Sequence, residues 1–424
     1  MALKVCLSAG SPQLQDDFTA RMAAVLDMKV TTMPVKEKRY AEDTVARYRR
    51  NLLTKPGKLF VKVEILEGIL VRDVKMFPIR EIQVTYTPGR ERMVAALLLK
   101  LVKGKEHFIL KEPSLRLRLR TLQGADKVLY DARQPAVALA GRCLINQVYA
   151  VNEGWALLLQ NPADKVLIRQ LRVKLRRLRS CLVFFKELLP EKQTYAWQRT
   201  LRAGAELLSV LRELDVAMMS CDRMRRQTNG DSLTSAERLT QMFNDRRSAT
   251  AKAFFLKETL QAHTAEALRF YLWLQASLLQ QEDVIRADGY VKRRLSTWIE
   301  NLQTLTEKHP DFHNMEDLHR IRIKVKRFRY VVQSLGLTIK ERSLLRRLKQ
   351  LQDMLGFLHD NYVNAGWARQ LLADHEEVEG LVSETSAFLG WEHAKAEAAI
   401  DSLPQLWKDF LTALNHWDVE EISS

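Results

Sequence analysis

Two segments of this chain carry the same pattern 150 residues apart, and that repetition limits what it can fold into. "IRQLRVKLRRLRS" (168–180) aligns with "LHRIRIKVKRFRY" (318–330). Five basic positions coincide: Arg172 with Arg322, Lys174 with Lys324, Arg176 with Lys326, Arg177 with Arg327 and Arg179 with Arg329. A second pair follows at an offset of 147. "RTLRAGAELLSVLRELDV" (199–216) aligns with "RRLKQLQDMLGFLHDNYV" (346–363), matching Arg199 with Arg346, Arg202 with Lys349, Arg212 with His359 and Glu213 with Asp360. An offset that hardly changes across the intervening turn marks a duplicated helical unit of about 150 residues. Its copies lie near 160–230 and 310–375.

Both basic segments have the period of amphipathic helices. At 100° per residue, Ile168, Leu171, Leu175, Leu178 and Leu182 form the core stripe of the first, and Leu318, Ile321, Val325, Phe328 and Val332 that of the second. Beside each stripe runs a line of cations: Arg169, Arg172, Arg176 and Arg179 in one copy, His319, Arg322, Lys326 and Arg329 in the other. Lys174 and Arg177 fall elsewhere and are expected to point into solvent. Like charges at i and i+4 weaken a helix slightly, and solvated faces usually mix both signs. Two facing lobes would line a shared groove with these cations. Arg199, Arg202, Arg346 and Lys349, on the next helix of each unit, would widen it. The planar guanidinium fork suits phosphate oxygens, so the groove suits a linear polyanion. A generic basic surface is the plain alternative. Nucleic acid is the weaker functional one: no zinc-finger spacing or helix-turn-helix is present, and aromatics such as Phe328 lie on the core side rather than among the cations.

Composition agrees with an anionic partner. Lys and Arg number 67 against 51 Asp and Glu, a formal net charge of +16, which draws anions without naming one. The 424 residues allow two or three domains. Cys6, Cys143, Cys181 and Cys221 are widely spaced with no CxxC, which argues against a zinc site or a disulfide framework; Cys181 and Cys221, in helical, apolar surroundings, read as buried bystanders. No run of about 20 apolar residues and no secretion signal is seen, so a cytoplasmic protein without a transmembrane segment is expected.

Residues 1–125 read as a small α/β region. Strand patterns occur at 30–33, 58–68 and 79–90, and a helix at 91–104 ends at Gly104. From about 130 to 417 helical periodicity dominates, with breaks at Pro162, Pro190, Gly230, Pro310, Gly336 and Pro404. Gly336 reads as a turn and Gly356 as a close helix approach. The expected fold is mainly α: duplicated antiparallel helical bundles with pseudo-two-fold symmetry over 126–417, preceded by the 1–125 domain.

The basic helices follow the form H-x-x-R-x-x-x-(K/R)-(K/R)-x-R. The copies are "RQLRVKLRRLR" (169–179) with "LLSVLRELDV" (207–216), and "HRIRIKVKRFR" (319–329) with "MLGFLHDNYV" (354–363). Over roughly 135–415 the chain resembles the CHAD family, the conserved histidine α-helical domain. The family histidine is kept as His319 and replaced by Arg169. The second acidic position is kept as Asp215 and becomes Tyr362. The resemblance implies two four-helix bundles around a basic cavity, inorganic polyphosphate as the ligand, and supporting acids Asp215 and Asp360 that hold arginines. His319 is either a structural residue at the helix start or a phosphate contact.

The N-terminal "DTVARYRRN" (43–51), "KVEILEG" (62–68) and "REIQVTY" (80–86) resemble the later strands of the CYTH triphosphate tunnel, often joined to CHAD. The opening E-x-E-x-K strand is absent, and the later acidic strand is reduced to Glu81, followed by Gln83 and Thr85. Arg47, Arg49 and Arg50 keep the basic side. This resembles a partial, degenerate copy, which implies a non-catalytic protein without a cofactor. The alternative is a triphosphatase whose Mg or Mn would be held by Glu64, Glu67 and Glu81.

Overall fold

Apolar and polar residues alternate in the N-terminal region, and in the computed structural model these stretches join one seven-stranded sheet. The structure describes residues 3–8, 20, 24, 29–41, 44–54, 61–72, 75–102, 109–111, 130–228, 236–280, 285–307, 312–336, 342–375 and 377–415. The strands are β1 (Leu3–Ser8), β2 (Lys29–Thr32), β3 (Lys36–Ala41), β4 (Thr44–Thr54), β5 (Val61–Arg72), β6 (Lys75–Tyr86) and β7 (Ile109–Lys111). Their order is β2-β4-β5-β6-β1-β7, with β3 on β4, and every pairing is antiparallel. Successive side chains alternate faces. Val5, Leu7, Val63, Ile65, Ile82 and Val84 therefore share the face that enters the main core.

Helices follow: α1 (Glu91–Val102), α2 (Ala136–Gln160), α3 (Lys165–Phe184), α4 (Glu191–Leu207), α5 (Ser209–Gln227), α6 (Glu237–Phe254), α7 (Lys257–Leu279), α8 (Ala287–Glu307), α9 (Met315–Leu335), α10 (Arg342–Asp374) and α11 (Leu381–Asn415). The chain is thus mainly α with a small N-terminal sheet. The sheet docks on α1, α2 and α7. Tyr271 Oη and Gln275 Nε2 of α7 both donate to the Lys4 carbonyl at 3.1 Å, and Leu110 N donates to Asn152 Oδ1 of α2 at 2.8 Å. One core joins these elements to α3, α8 and α9. A second, around Leu214, Phe243 and Phe388, joins α5, α6, α10 and α11. All four cysteines are buried, and none forms a disulfide. Among the described residues no helix is long and apolar enough to cross a membrane.

The expected breaks at Pro162, Pro190 and Gly336 are present, with Gly336 capping α9 at φ 65. Those at Gly104, Gly230 and Pro310, and the 125/126 boundary, lie outside the described residues. Pro404 is a correction: it sits inside α11. A mid-helix proline costs about 3 kcal/mol. Trp407, Phe410 and Leu414 beyond it are buried, and each contributes about 1.5–3 kcal/mol, so packing carries the helix through. Gly356 is a second correction, because a Cβ there would meet nothing within 4 Å. The close approach is at Gly154 on α2, where a Cβ would stand 2.8 Å from Leu171 Cδ1 of α3. Gly356→Ala should therefore stabilise α10 by about 0.5–1 kcal/mol, read as a higher urea midpoint.

Candidate functional site

The two basic helices are built alike. Each starts on a polar cap: Asp164 accepts from Val166 N and Leu167 N, and Asn314 from Glu316 N and Asp317 N. Their apolar stripes are buried in the main core, and α3 packs directly on α9. The cation lines repeat the same gradient. Arg169 and His319 are exposed, Arg172 and Arg322 are buried at 8% exposure each, and the next two positions of each line are half-buried.

Elements far along the chain fix both ends of α3. At its head, Arg247 of α6 reaches the carbonyl of Ala163, a residue held at φ 67, at 2.7 Å. The same guanidinium grips Asp215 of α5 at 2.6 Å. At its tail, Arg294 of α8 donates to the carbonyls of Phe184 and Val183, and Tyr290 Oη donates to the former at 2.8 Å.

Between α3 and α9 the cations converge. Burial pushes Arg172 down to about 10, and the positive charges of Arg176, Arg212 and Arg322 push the same way against Glu213. Arg322 is likewise lowered to about 10 by burial and by Arg176, with Asp360 opposing. Lys326 is pushed down to about 7 by burial, then by Arg322, Arg176 and Arg172, again against Asp360. His319 is lowered by burial, Arg322 and Lys326. His359, whose ring centroid is 5.4 Å from that of His319, falls to about 3 through burial and the same cations.

The copies differ in how they hold their buried arginine. In the first, the chain breaks at Leu208 between α4 and α5, and Arg172 Nη1 donates to the carbonyls of Leu208 and Ser209 at 3.1 and 2.9 Å. In the second, α10 runs unbroken through the matching region. Arg322 Nε is buried there without a hydrogen-bond partner.

Of the expected site residues, Arg172, Arg176, Arg322, Lys326 and His319 come together. Arg169 joins them through Arg212. Arg179 lies near Arg176, Arg202 and Arg327, whose charges help lower it after burial. Arg329 donates to Gln352 at 3.0 Å, and Arg202 to Glu206 at 2.7 Å. Arg199, Arg346 and Lys349 are exposed on α4 and α10. Of the supporting acids, Asp215 holds Arg247 and Asp360 faces the cluster.

Lys174 and Arg177 are corrections, since neither points freely into solvent. Lys174 is 3.5 Å from Glu153. Arg177 is half-buried 6.0 Å from the centre of the Tyr330 ring, its Nε without a partner. The reason is crowding, for α3 is flanked by α2, α4, α5 and α9. Arg212, Glu213 and His359 were not among the expected site residues, yet the 147-residue alignment pairs Arg212 with His359 and Glu213 with Asp360.

In the sheet, Glu64 faces Gln83, Leu66 faces Glu81, and Glu67 faces Arg80. Glu67 thus lies on the opposite face from Glu64 and Glu81, and the three do not assemble one metal site. Among the described residues no group of three His, Cys, Asp or Glu could hold a metal. The side chains of Arg47, Arg49 and Arg50 lie outside the described residues.

The profile described as CHAD domain matches residues 144–369, more than half of the chain. A solved structure, the crystal structure of the CHAD domain from the plant Ricinus communis, is similar at 20% identity and a TM-score of 0.55, covering 70% of this chain and 96% of that one. PptA from Streptomyces chartreusis is similar at 14% identity and 0.51, covering 65% and 99%. No curated protein matches.

Two predictions follow from this geometry. Asp215→Ala strands Arg247 and should destabilise the fold by about 3 kcal/mol, measured by urea unfolding. Without ligand, stability should rise from pH 7 to 9. Over that range the unfolded chain protonates its lysine at position 326 and the folded chain, with Lys326 at about 7, does not. Lys326→Met should flatten the rise. Above pH 9 the thiol of Cys221, pushed up to about 12 by burial, works in the opposite direction.

Proposed function

The chain belongs to the CHAD domain family, and on that premise we propose that it binds inorganic polyphosphate, or a similar linear polyanion, between α3 and α9 without catalysing its turnover. The observation that carries this reading is the convergence of Arg172, Arg176, Arg322 and Lys326 across a helix contact, where burial and then the neighbouring positive charges lower Arg172, Arg322 and Lys326 against Glu213, Asp360 and Tyr330. Concentrated like charge is unfavourable in an isolated fold and becomes favourable once an anion enters. Arginine forks and an ammonium match phosphate oxygens with charge-assisted bonds. The outer cations, Arg169, Arg179, Arg199, Arg202, Arg329, Arg346 and Lys349, extend the track along which a chain would lie, and His319 stands at its edge.

This reading takes 1–125 as a degenerate CYTH-like domain and 126–417 as the binding domain, its two helical units related by a pseudo-two-fold axis. Support comes from the helix starts at Lys165 and Met315, from the caps Asp164 and Asn314 one residue before each, and from the matched burial of Arg172 and Arg322. Nucleic acid lacks a comparable argument, since the aromatic Phe328 is buried in the core.

Calorimetric titration of the full chain with long-chain polyphosphate, duplex DNA and tripolyphosphate at two salt concentrations tests the proposal. Tight, salt-sensitive binding that favours the long chain is expected. Changing Arg172, Arg176, Arg322 and Lys326 together to Ala should weaken it by about a hundredfold or more, with the circular dichroism spectrum kept. Equal affinity for DNA, or undiminished affinity in a folded quadruple variant, would overturn it. Tripolyphosphate incubated with Mg or Mn should release no phosphate.

A further inference from the structure

We propose that polyanion capture at this cluster is coupled to proton uptake by Lys326 and by the His319–His359 pair. The inference rests on the polyanion-binding reading and adds to it how the site is regulated.

The first observation is a division of labour between the copies. At the three matched positions the first copy has Arg169, Arg176 and Arg212, and the second has His319, Lys326 and His359. Arginine stays charged at any physiological pH, whereas lysine and histidine titrate when their surroundings press on them. One wall of the cluster is permanently positive, and the facing wall carries the groups that can give up their charge.

The second observation is geometric. Lys326 is half-buried one turn beyond Arg322 on α9, and among the described residues no hydrogen bond or ion pair engages its ammonium. Facing it are Arg322 from its own helix, Arg172 and Arg176 from α3, and Asp360 from α10. The two imidazoles meet across α9 and α10 with ring centroids 5.4 Å apart. They face Arg322 and Lys326, and His359 also faces Arg176. The third neighbour of α9, α8, meets a different side, where Lys324 donates to the Asn301 carbonyl. At the centre, the partnerless Nε of buried Arg322 is a donor left for an incoming acceptor.

Burial first, and then the charge of the permanent arginines, hold Lys326 and the imidazoles toward their neutral forms. Lys326, at about 7, is mostly neutral at pH 8. A phosphoryl chain reverses the local field and draws a proton onto the ammonium, and in mildly acidic solution onto the imidazoles as well. By linkage, affinity then falls about tenfold per pH unit for each proton taken up. A groove of arginines alone would show no such dependence.

The test is calorimetry of the full chain with long-chain polyphosphate at pH 8 in Tris and in Hepes, which differ in ionisation enthalpy. The expected result is an uptake approaching one proton per site at pH 8, from the difference in observed enthalpy. Lys326→Arg should abolish that uptake and bind about tenfold more tightly than the wild type at pH 8, the reverse of what loss of a merely structural lysine would do. At pH 6, His359→Gln should reduce the uptake that the wild type shows. Salt-sensitive binding with equal enthalpies in the two buffers overturns the coupling and leaves the polyanion reading standing. Full uptake by Lys326→Arg does the same. No binding by the wild type at all overturns both.

Discussion

The apolar seam between α3 and α9 is the contact on which the rest of this molecule depends. Leu171, Leu175 and Leu178 on one helix and Ile321, Val325 and Phe328 on the other are buried in one core. Each such residue contributes about 1.5–3 kcal/mol by leaving water. Like-charge neighbours one turn apart on a helix cost only a few tenths each. The seam therefore holds together two helices whose edges repel, and the repulsion is not relieved by carboxylates in equal number. The cation cluster is a by-product of where the apolar stripe lies: a stripe that buries itself completely must bring the positions beside it to the margin of the contact.

The two aligned segments do not hold their buried arginines alike. A break in the first copy at Leu208 exposes carbonyl oxygens that Arg172 uses, so that arginine is anchored by the backbone. The unbroken α10 offers Arg322 nothing comparable, and a buried donor without a partner carries a penalty of about 1–3 kcal/mol. The first copy is better satisfied as it stands, and the second has more to gain from a ligand. A local difference in backbone regularity has become a difference in chemical readiness.

Much of this was legible in the chain itself. The stripes and the boundaries at Pro162, Pro190 and Gly336 follow from period and local chemistry, which do not depend on distant residues. What was misread depends on neighbours that sequence does not show. Pro404 breaks an isolated helix, yet three buried side chains beyond it hold α11 together. Arg177 projects away from the stripe on a helical wheel, but the wheel does not show Tyr330. Glu64, Glu67 and Glu81, weighed only as the alternative metal set, part company once strand alternation sorts the faces. Arg247, which organises the head of α3, lies outside both aligned segments, so the repeat gave no reason to single it out.

The clamps at the two ends of α3 also say something about assembly in time. The head of that helix is completed by Arg247, 84 residues downstream of Ala163, and its tail by Arg294, 110 residues downstream of Phe184. Emerging before its clamps and before α9, the most cationic helix has part of its core stripe uncovered, and the carbonyl of Phe184 waits until about a hundred further residues have been made. Contacts of such long sequence separation form late and slowly, and exposed apolar surface in the interval invites association with other chains. The order of the helices thus gives the nascent protein a period in which its most cationic helix is its most vulnerable part, open to chaperones and to stray polyanions alike.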